Sequence, residues 1–191
     1  MRTTGMLVAV VVLMSGLMGC VGTEPKDGVA GEPKLQAPKP PPEQKSFDVW
    51  TGTWTYEGEA KDTPMGPAGK FTGKCIARPI LDGFFFEMRW EEKDYQSVVI
   101  HWYDTTAKTY RFQGFGNDGV VGSGTGTWNG GTWAAAWTSV HRGVEYRTRS
   151  QCILATDGNS VTINAEISAD GKTWKPLWHT KMTKQETPPK E

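Results

Sequence analysis

The sequence predicts an all-β fold, a single antiparallel up-and-down β-barrel of about ten strands. Turn signals such as Asn117-Asp-Gly119, Asn129-Gly-Gly131 and Asp157-Gly-Asn159 recur at strand-length intervals, and these residue types tolerate the positive φ angles of tight hairpins. The segments between the turns alternate apolar and polar residues, which is typical of half-buried strands. Short connections make successive strands antiparallel neighbours, and closing a long meander into a barrel removes its exposed edges.

The first residues, 1–19, have the pattern of a bacterial signal peptide. Arg2 provides a positive charge, and an almost uninterrupted apolar run follows from Met6 to Met18. This run of about a dozen residues is too short to cross a hydrocarbon core as a helix, which takes about 20 apolar residues. We therefore interpret it as a targeting segment and not as part of the folded protein.

The end of this segment, Leu17-Met18-Gly19-Cys20, resembles the lipobox of bacterial lipoprotein precursors. The resemblance implies that Cys20 is acylated and becomes the mature N-terminus, with membrane lipid as its partner. Several acyl chains on one cysteine exceed the two signals that stable anchoring requires. We expect a protein that is lipid-anchored in the bacterial cell envelope. The resemblance to Gram-negative lipoproteins further implies the outer membrane, because Val21 and not aspartate follows the cysteine.

Residues 20–46 are predicted to form a disordered tether that begins at the lipidated cysteine. Pro, Lys, Glu and Gly dominate this stretch, which contains Pro40-Pro41-Pro42 and few aliphatic residues. Such a composition buries too little apolar surface to offset the entropy of ordering, and Pro-rich chains form extended spacers. The short tail, 184–191, contains Pro188-Pro189 and is predicted to be disordered as well.

The remaining residues, 47–183, have the length of one domain. The whole chain carries 21 basic and 21 acidic residues, so the charge balance gives no sign of the basic patch that a nucleic-acid partner requires. Within the domain we predict strands at 49–60, 69–80, 83–91, 95–103, 109–116, 121–128, 132–140, 143–155, 159–168 and 172–183.

Side-chain alternation predicts which residues point into the barrel. Phe86, Met88 and Trp90 share one parity, whereas Glu87 and Arg89 share the other. The interior of such a barrel can enclose a ligand, and we select as predicted ligand-binding residues the aromatic side chains Trp54, Phe86, Trp90, Trp133, Trp137 and Tyr146. For Trp54 a second interpretation is open, in which the side chain plugs the closed end of the barrel beneath the first strand.

Motifs along this domain resemble two lipocalin-related families. Trp50-Thr-Gly52-Thr-Trp54 looks like the Gly-x-Trp opening of lipocalins. Leu81-Asp82-Gly83-Phe84-Phe85, Trp102-Tyr103-Asp104 before Tyr110, and Asp170-Gly171-Lys172 resemble domain of unknown function 1579, a lipocalin-like family of exported bacterial proteins. The resemblance implies a lipocalin- or calycin-like barrel with a small-molecule or structural role, and it implies no reaction.

A fainter resemblance concerns haem. Leu177-Trp178-His179-Thr180 is similar to the chain end of nitrobindins, ten-stranded barrels that bind haem through a histidine, so that His179 is a candidate haem ligand. Apart from this alternative we predict no cofactor and no metal site, since neither H-E-x-x-H nor C-x-x-C spacing occurs.

Two cysteines remain once Cys20 is acylated, and their state stays open. An oxidising compartment favours a disulfide between Cys75 and Cys152. Their strands, however, are not neighbours in a simple meander, and a disulfide requires Cα atoms within about 7 Å.

No catalytic constellation is visible, and we do not predict an enzyme. Gly114-Phe-Gly116-Asn-Asp-Gly119 spells G-x-G-x-x-G, but the dinucleotide-binding motif opens a helix, whereas here a turn and another strand follow. An enzyme would need titratable groups that converge in the interior. Glu87 or Arg147 would then have to point inward, against the alternation.

Two functions therefore remain open. In the first, the barrel binds a small apolar or amphipathic molecule, provided that its aromatic interior is not fully packed. In the second, it is a structural or interaction protein of the envelope that acts through its outer surface, with aromatic residues such as Phe85 and Trp102 forming one patch.

Overall fold

The computed structural model describes residues 37–186. The predicted signal peptide, the lipidation site Cys20, the first part of the predicted tether and the end of the predicted tail therefore lie outside the described residues. Within the described part of the chain, no helix is both long enough and apolar enough to span a membrane.

Ten antiparallel strands form one closed barrel, which confirms the predicted fold class. Each strand pairs with its neighbours in the sequence, and β1 closes the ring by pairing with β10. Every predicted strand overlaps one of the observed strands, which are β1 (Gly52–Ala60), β2 (Gly69–Ile80), β3 (Phe85–Glu91), β4 (Gln96–Asp104), β5 (Thr109–Gly116), β6 (Val121–Asn129), β7 (Thr132–His141), β8 (Val144–Leu154), β9 (Ser160–Ser168) and β10 (Lys175–Lys184).

The connections divide between the two ends of the barrel. Because the strands run up and down, the turns at 61–68, 92–95, 117–120, 142–143 and 169–174 gather at one end, which we call the mouth. The opposite end, which we call the closed end, carries a 3-10 helix at Pro42–Trp50 immediately before β1.

This 3-10 helix is packed onto the barrel and corrects the predicted tether boundary. Phe47 is fully buried and stacks on Phe86 with 5.5 Å between the ring centroids. Gln44 is 5% exposed, and its side-chain oxygen accepts a hydrogen bond from the backbone N–H of Tyr103 at 2.8 Å. Residues 42–46, predicted as tether, therefore belong to the folded unit, because burial of the aromatic residues that follow draws the preceding turn onto the barrel.

The predicted alternation also holds at charged positions on the outer wall. Glu87 is largely covered, yet it points outward, where Arg78 and Arg89 donate to its carboxylate at 2.9 and 3.2 Å. Burial opposes ionisation of this carboxyl, but the two arginines outweigh it and lower the pKa of Glu87. The charge is thus compensated on the outer wall and does not reach the interior.

Glycines in β6 make space for the aromatic side chains of β7. A Cβ atom on Gly126 would collide with the indole ring of Trp133, and one on Gly124 would lie 2.6 Å from the Cβ atom of Trp137. The glycine-rich sequence of β6 therefore reflects a close approach of its backbone to two tryptophan side chains.

Cys75 and Cys152 are free and buried. They lie on β2 and β8, and β1, β10 and β9 separate these strands around the ring. Neighbouring strands alone are about 4.8 Å apart, so three intervening strands exceed the reach of a disulfide. The disulfide that the sequence left open is thus not formed, and burial raises the pKa of both thiols.

Candidate ligand-binding cavity

A cavity of about 570 Å³ lies inside the barrel, between the mouth and the closed end. Small-molecule sites occupy about 300–1,000 Å³ and are mostly apolar, with a few polar groups. Every strand contributes at least one side chain or glycine to the lining, and its aromatic members are Phe47, Trp50, Tyr56, Phe71, Trp90, Tyr95, Phe112, Phe115, Trp133, Trp137 and Trp178. The interior is therefore not a fully packed core.

Closely packed rings form the inner end of the cavity. Trp54 is fully buried and donates its indole N–H to the backbone oxygen of Trp50 at 2.7 Å. The ring centroid of Phe47 lies 5.3 Å from that of Trp133. Trp54 thus plugs the closed end beneath the first strand, the second of its two sequence interpretations, and it does not line the cavity.

His101, on β4, lines the cavity among aromatic rings. Its ring centroid lies 5.1 Å from that of Phe47, 5.5 Å from Phe112 and 6.1 Å from Trp133. The side chain is 6% exposed, and its Nδ1 has no hydrogen-bond partner among the described residues. Burial lowers the pKa of His101 to about 4. The imidazole is therefore neutral at pH 7.

The mouth carries the polar part of the lining. Tyr56 donates its hydroxyl to Oε1 of Glu92 at 3.2 Å, and Tyr95 and Asp118 line the same end. Burial, followed by the charge of Glu92, raises the pKa of Tyr56, and burial also raises the pKa of Glu92. Desolvation followed by the charge of Asp118 raises the pKa of Tyr95.

Three of the six predicted ligand-binding residues line the cavity. Trp90, Trp133 and Trp137 reach it from β3 and β7, as the parity argument indicated. The other three side chains are buried elsewhere. Trp54 and Phe86 belong to the packing at the closed end, and Tyr146 packs in a separate cluster with Ala165, Ile167 and Leu177.

Several lining residues were not predicted from the sequence. Tyr56 shares the parity of Trp54 on β1, and Phe112 lies on β5 between turns, so alternation could have found both. Glu92 and Asp118 lie in turns, where alternation says nothing about direction. Only one feature of the sequence could have indicated that Phe47 and Trp50 of the 3-10 helix line the cavity. It is the appearance of large aromatic side chains at the end of a Pro-rich stretch.

The haem alternative at His179 does not fit the structure. His179 is exposed on the outer wall of β10, where its Nδ1 lies 2.7 Å from Oδ1 of Asn164 on β9. Its neighbours Trp178 and Thr180 line the cavity instead. A haem in the interior could not be bound by this side chain, so His179 is corrected from candidate ligand to outer-wall residue.

The charged residues considered for catalysis also face outward. Glu87 is paired with two arginines on the outer wall, and Arg147 is exposed on β8. Among residues 37–186, no group of three or more His, Cys, Asp or Glu side chains is arranged to hold a metal ion.

Comparison with known proteins identifies the fold. No protein-family profile and no curated protein matches the chain. The crystal structure of Rv2717c from M. tuberculosis superposes with a TM-score of 0.56 at 10% identity, over 78% of this chain and 100% of that chain. A fluorescence-activating β-barrel designed de novo has a TM-score of 0.36 at 15% identity, over 74% of this chain and 98% of that chain.

At such low identity the first similarity shows the fold alone. Together with the strand topology, it defines a closed ten-stranded barrel that resembles lipocalin- and calycin-like barrels.

Proposed function

We propose that this protein binds a small apolar or amphipathic molecule inside its barrel. One observation carries the proposal, the cavity of about 570 Å³ with aromatic side chains around it. A core of this size that served only stability would be packed to the density of an organic crystal, with few voids larger than a water molecule. Polar groups of the lining, among them His101 at the inner end and the carboxylates at the mouth, would orient the bound molecule.

We further propose that the barrel acts as a lipid-anchored protein of the bacterial cell envelope. The support is the resemblance of residues 17–20 to a lipobox, with Cys20 as the acylated residue. The Pro-rich residues between Cys20 and the 3-10 helix would then be the tether. We propose a binding role without catalysis, since Glu87 and Arg147 lie on the outer wall.

Filling the cavity should abolish binding. Ala135 lines the cavity on β7, between the inward-facing Trp133 and Trp137. We expect Ala135→Phe to eliminate saturable binding of a neutral naphthalene probe, measured by probe fluorescence and tryptophan quenching. The enlarged side chain enters existing space, so the loss of stability should stay near the lower end of the about 1–3 kcal/mol that overpacking costs.

The matched control is Ala136→Phe. Ala136 is the next residue along β7 and faces outward, so the same substitution there should leave probe affinity unchanged. The proposal fails if the parent protein shows no saturable binding, or if Ala135→Phe and Ala136→Phe bind the probe equally well.

A second candidate function, interaction through the outer wall, is favoured by apolar residues near the mouth. Phe115, at the rim of the cavity, pairs with Val121 across β5 and β6, and Val140 follows the residue that pairs with Gly122. All three are exposed. Phe85 and Trp102 also contact each other on the outer wall, with 6.2 Å between the ring centroids.

This second candidate has its own test with phospholipid vesicles. In protein produced without residues 1–20, which lacks both the apolar segment and the proposed anchor, Val121→Lys should reduce co-sedimentation if the apolar row binds a lipid surface. Ile153→Lys, at an exposed apolar position of β8 near the closed end, is the control. Equal co-sedimentation of the parent and both variants would exclude a lipid-binding role for this row.

A further inference from the structure

The charges of the cavity lining all have one sign. Glu92 and Asp118 line the mouth, and none of the lysines and arginines among residues 37–186 belongs to the lining. His101 adds no positive charge at pH 7, because burial lowers its pKa to about 4. Neither carboxylate forms an ion pair with another described residue. The acidic residues that do form ion pairs within 37–186 are Glu59, Glu87, Glu91, Asp104 and Glu166.

The two carboxylates come from neighbouring turns and share polar neighbours. Glu92 accepts a hydrogen bond from Tyr56 through Oε1 at 3.2 Å. A Cβ atom on Gly116 would lie within 2.9 Å of the Tyr95 hydroxyl and closer still to Oδ1 of Asp118. Tyr95 thus brings its phenol next to the Asp118 carboxylate, while its backbone oxygen accepts from Glu92 N–H at 2.8 Å.

Aromatic side chains belong to the same part of the lining as these carboxylates. Trp90 is two residues before Glu92, and its ring makes an edge contact with that of Tyr56 at 5.2 Å between centroids. A cation is attracted by an aromatic face within about 6 Å, and more strongly when it is desolvated. Carboxylates combined with tryptophan and tyrosine rings are thus suited to an organic ammonium group.

The inner end supports occupancy by a ligand independently of these charges. The His101 side chain is 6% exposed, it lines the cavity, and its Nδ1 has no hydrogen-bond partner among residues 37–186. A buried polar atom without a partner is costly, and a hydrogen-bonding group on a bound molecule would reduce that cost. The surrounding rings of Phe47, Phe112 and Trp133 require the rest of the molecule to be apolar.

We propose that the cavity selects a hydrophobic cation, an amine with an apolar body whose ammonium group is held by Glu92 and Asp118 at the mouth. This inference rests on the proposed binding function and names the class of ligand. An anionic amphiphile such as a fatty acid is disfavoured, because its carboxylate would be placed beside two like charges without a compensating cation.

Three ligands of equal chain length test the sign of the charge. Decylamine, decanol and decanoate are titrated into the purified full-length protein at pH 7, and displacement of a bound neutral naphthalene probe is measured. We expect decylamine to bind about tenfold more tightly than decanol, and decanoate to bind most weakly. Equal affinities for decylamine and decanol, or tighter binding of decanoate, would overturn the inference while leaving the proposed binding function intact. If none of the three ligands displaces the probe, both the inferred ligand class and the proposed binding function are overturned.

Substitutions then test whether Glu92 and Asp118 cause the preference for decylamine. Glu92→Gln keeps an acceptor for Tyr56 but removes the charge, and it should reduce the preference for decylamine over decanol several-fold, further still in combination with Asp118→Asn. Asp94→Asn removes an exposed carboxylate from the same turn, outside the lining, and should preserve the preference. Decanol affinity reports the integrity of the cavity in each variant. A preference for decylamine that persists in the double variant would show that these carboxylates do not select the cation.

Discussion

At the scale of single residues, His101 shows how the barrel alters the chemistry of a side chain. Alternation along β4 places its side chain on the same face as that of Val99, but it says nothing about the protonation state. Rings of Phe47, Phe112 and Trp133 surround the imidazole, and the loss of water around it disfavours the charged form. The same burial that keeps the lining free of positive charge must therefore make folding sensitive to acid.

Replacing His101 should change how stability depends on pH. The pKa is lowered from 6.5 to about 4 in the folded protein. Between these values the unfolded chain binds a proton that the folded protein does not bind, so stability falls as the pH falls from about 6.5 to about 4. A shift of this size corresponds to about 3 kcal/mol.

His101→Phe retains a planar ring but cannot bind a proton. The variant should therefore lack the part of the acid-induced loss of stability that comes from His101. The measurement is urea unfolding of the parent and the variant at pH 7, 5.5 and 4. Titration of the other ionisable groups changes the free energy of unfolding of both proteins alike. The difference between the parent and the variant, plotted against pH, therefore isolates the contribution of His101. Parallel curves would contradict the predicted protonation state.

At the scale of elements, the 3-10 helix at Pro42–Trp50 determines where the barrel interior ends. Phe47 and Trp50 occupy the closed end, so that the open space begins above them. The helix is held by its side chains, because Gln44 accepts from the backbone N–H of Tyr103 and donates to the backbone oxygen of His101 at 3.4 Å. This fixes the helix to β4, the strand that carries the buried histidine.

Gln44→Ala should therefore destabilise the protein. The substitution leaves a part-buried backbone N–H without its partner, which costs about 1–3 kcal/mol. Gln151→Ala, on the exposed face of β8, is the matched control and should be nearly neutral. The measurement is the midpoint of denaturant unfolding of the parent and both variants, compared where the dependence of the unfolding free energy on denaturant is unchanged. Equal midpoints for the two variants would show that the helix contributes little to the fold.

At the scale of the whole molecule, the barrel and the proposed anchor and tether would serve different physical tasks. The closed barrel leaves no free strand edge among the described strands and encloses an aromatic space. The proposed tether would not need the barrel for its function, because it is a Pro-rich stretch of low hydrophobicity. Binding and anchoring should thus be separable by mutation.

Cys20→Ser should abolish anchoring and leave binding intact. The thiol is the acceptor of the lipid, so the variant should lose labelling by a clickable palmitate analogue and accumulate as uncleaved precursor. The naphthalene probe should bind the variant with the affinity of the parent. Continued labelling of Cys20→Ser would contradict the lipobox interpretation.

Local sequence was sufficient to predict the architecture. Turn residues such as Asn129-Gly-Gly131 and the period-two alternation of Phe86, Met88 and Trp90 depend only on neighbours along the chain. The number of strands, their order and the inward faces follow from such signals. For this reason the strands observed in the barrel overlap those predicted, and Trp90, Trp133 and Trp137 meet in one cavity.

Tertiary structure alone decided the depth of each side chain along the barrel. Alternation distinguishes inside from outside, but it cannot tell that Trp54 is sealed into the closed end while Trp90 faces open space. The convergence of Glu92 and Asp118 arises because two turns distant in sequence meet at the mouth. The physical reason is the same throughout: a strand's face is a local property, whereas depth, charge and protonation depend on what the other strands and the 3-10 helix place opposite it.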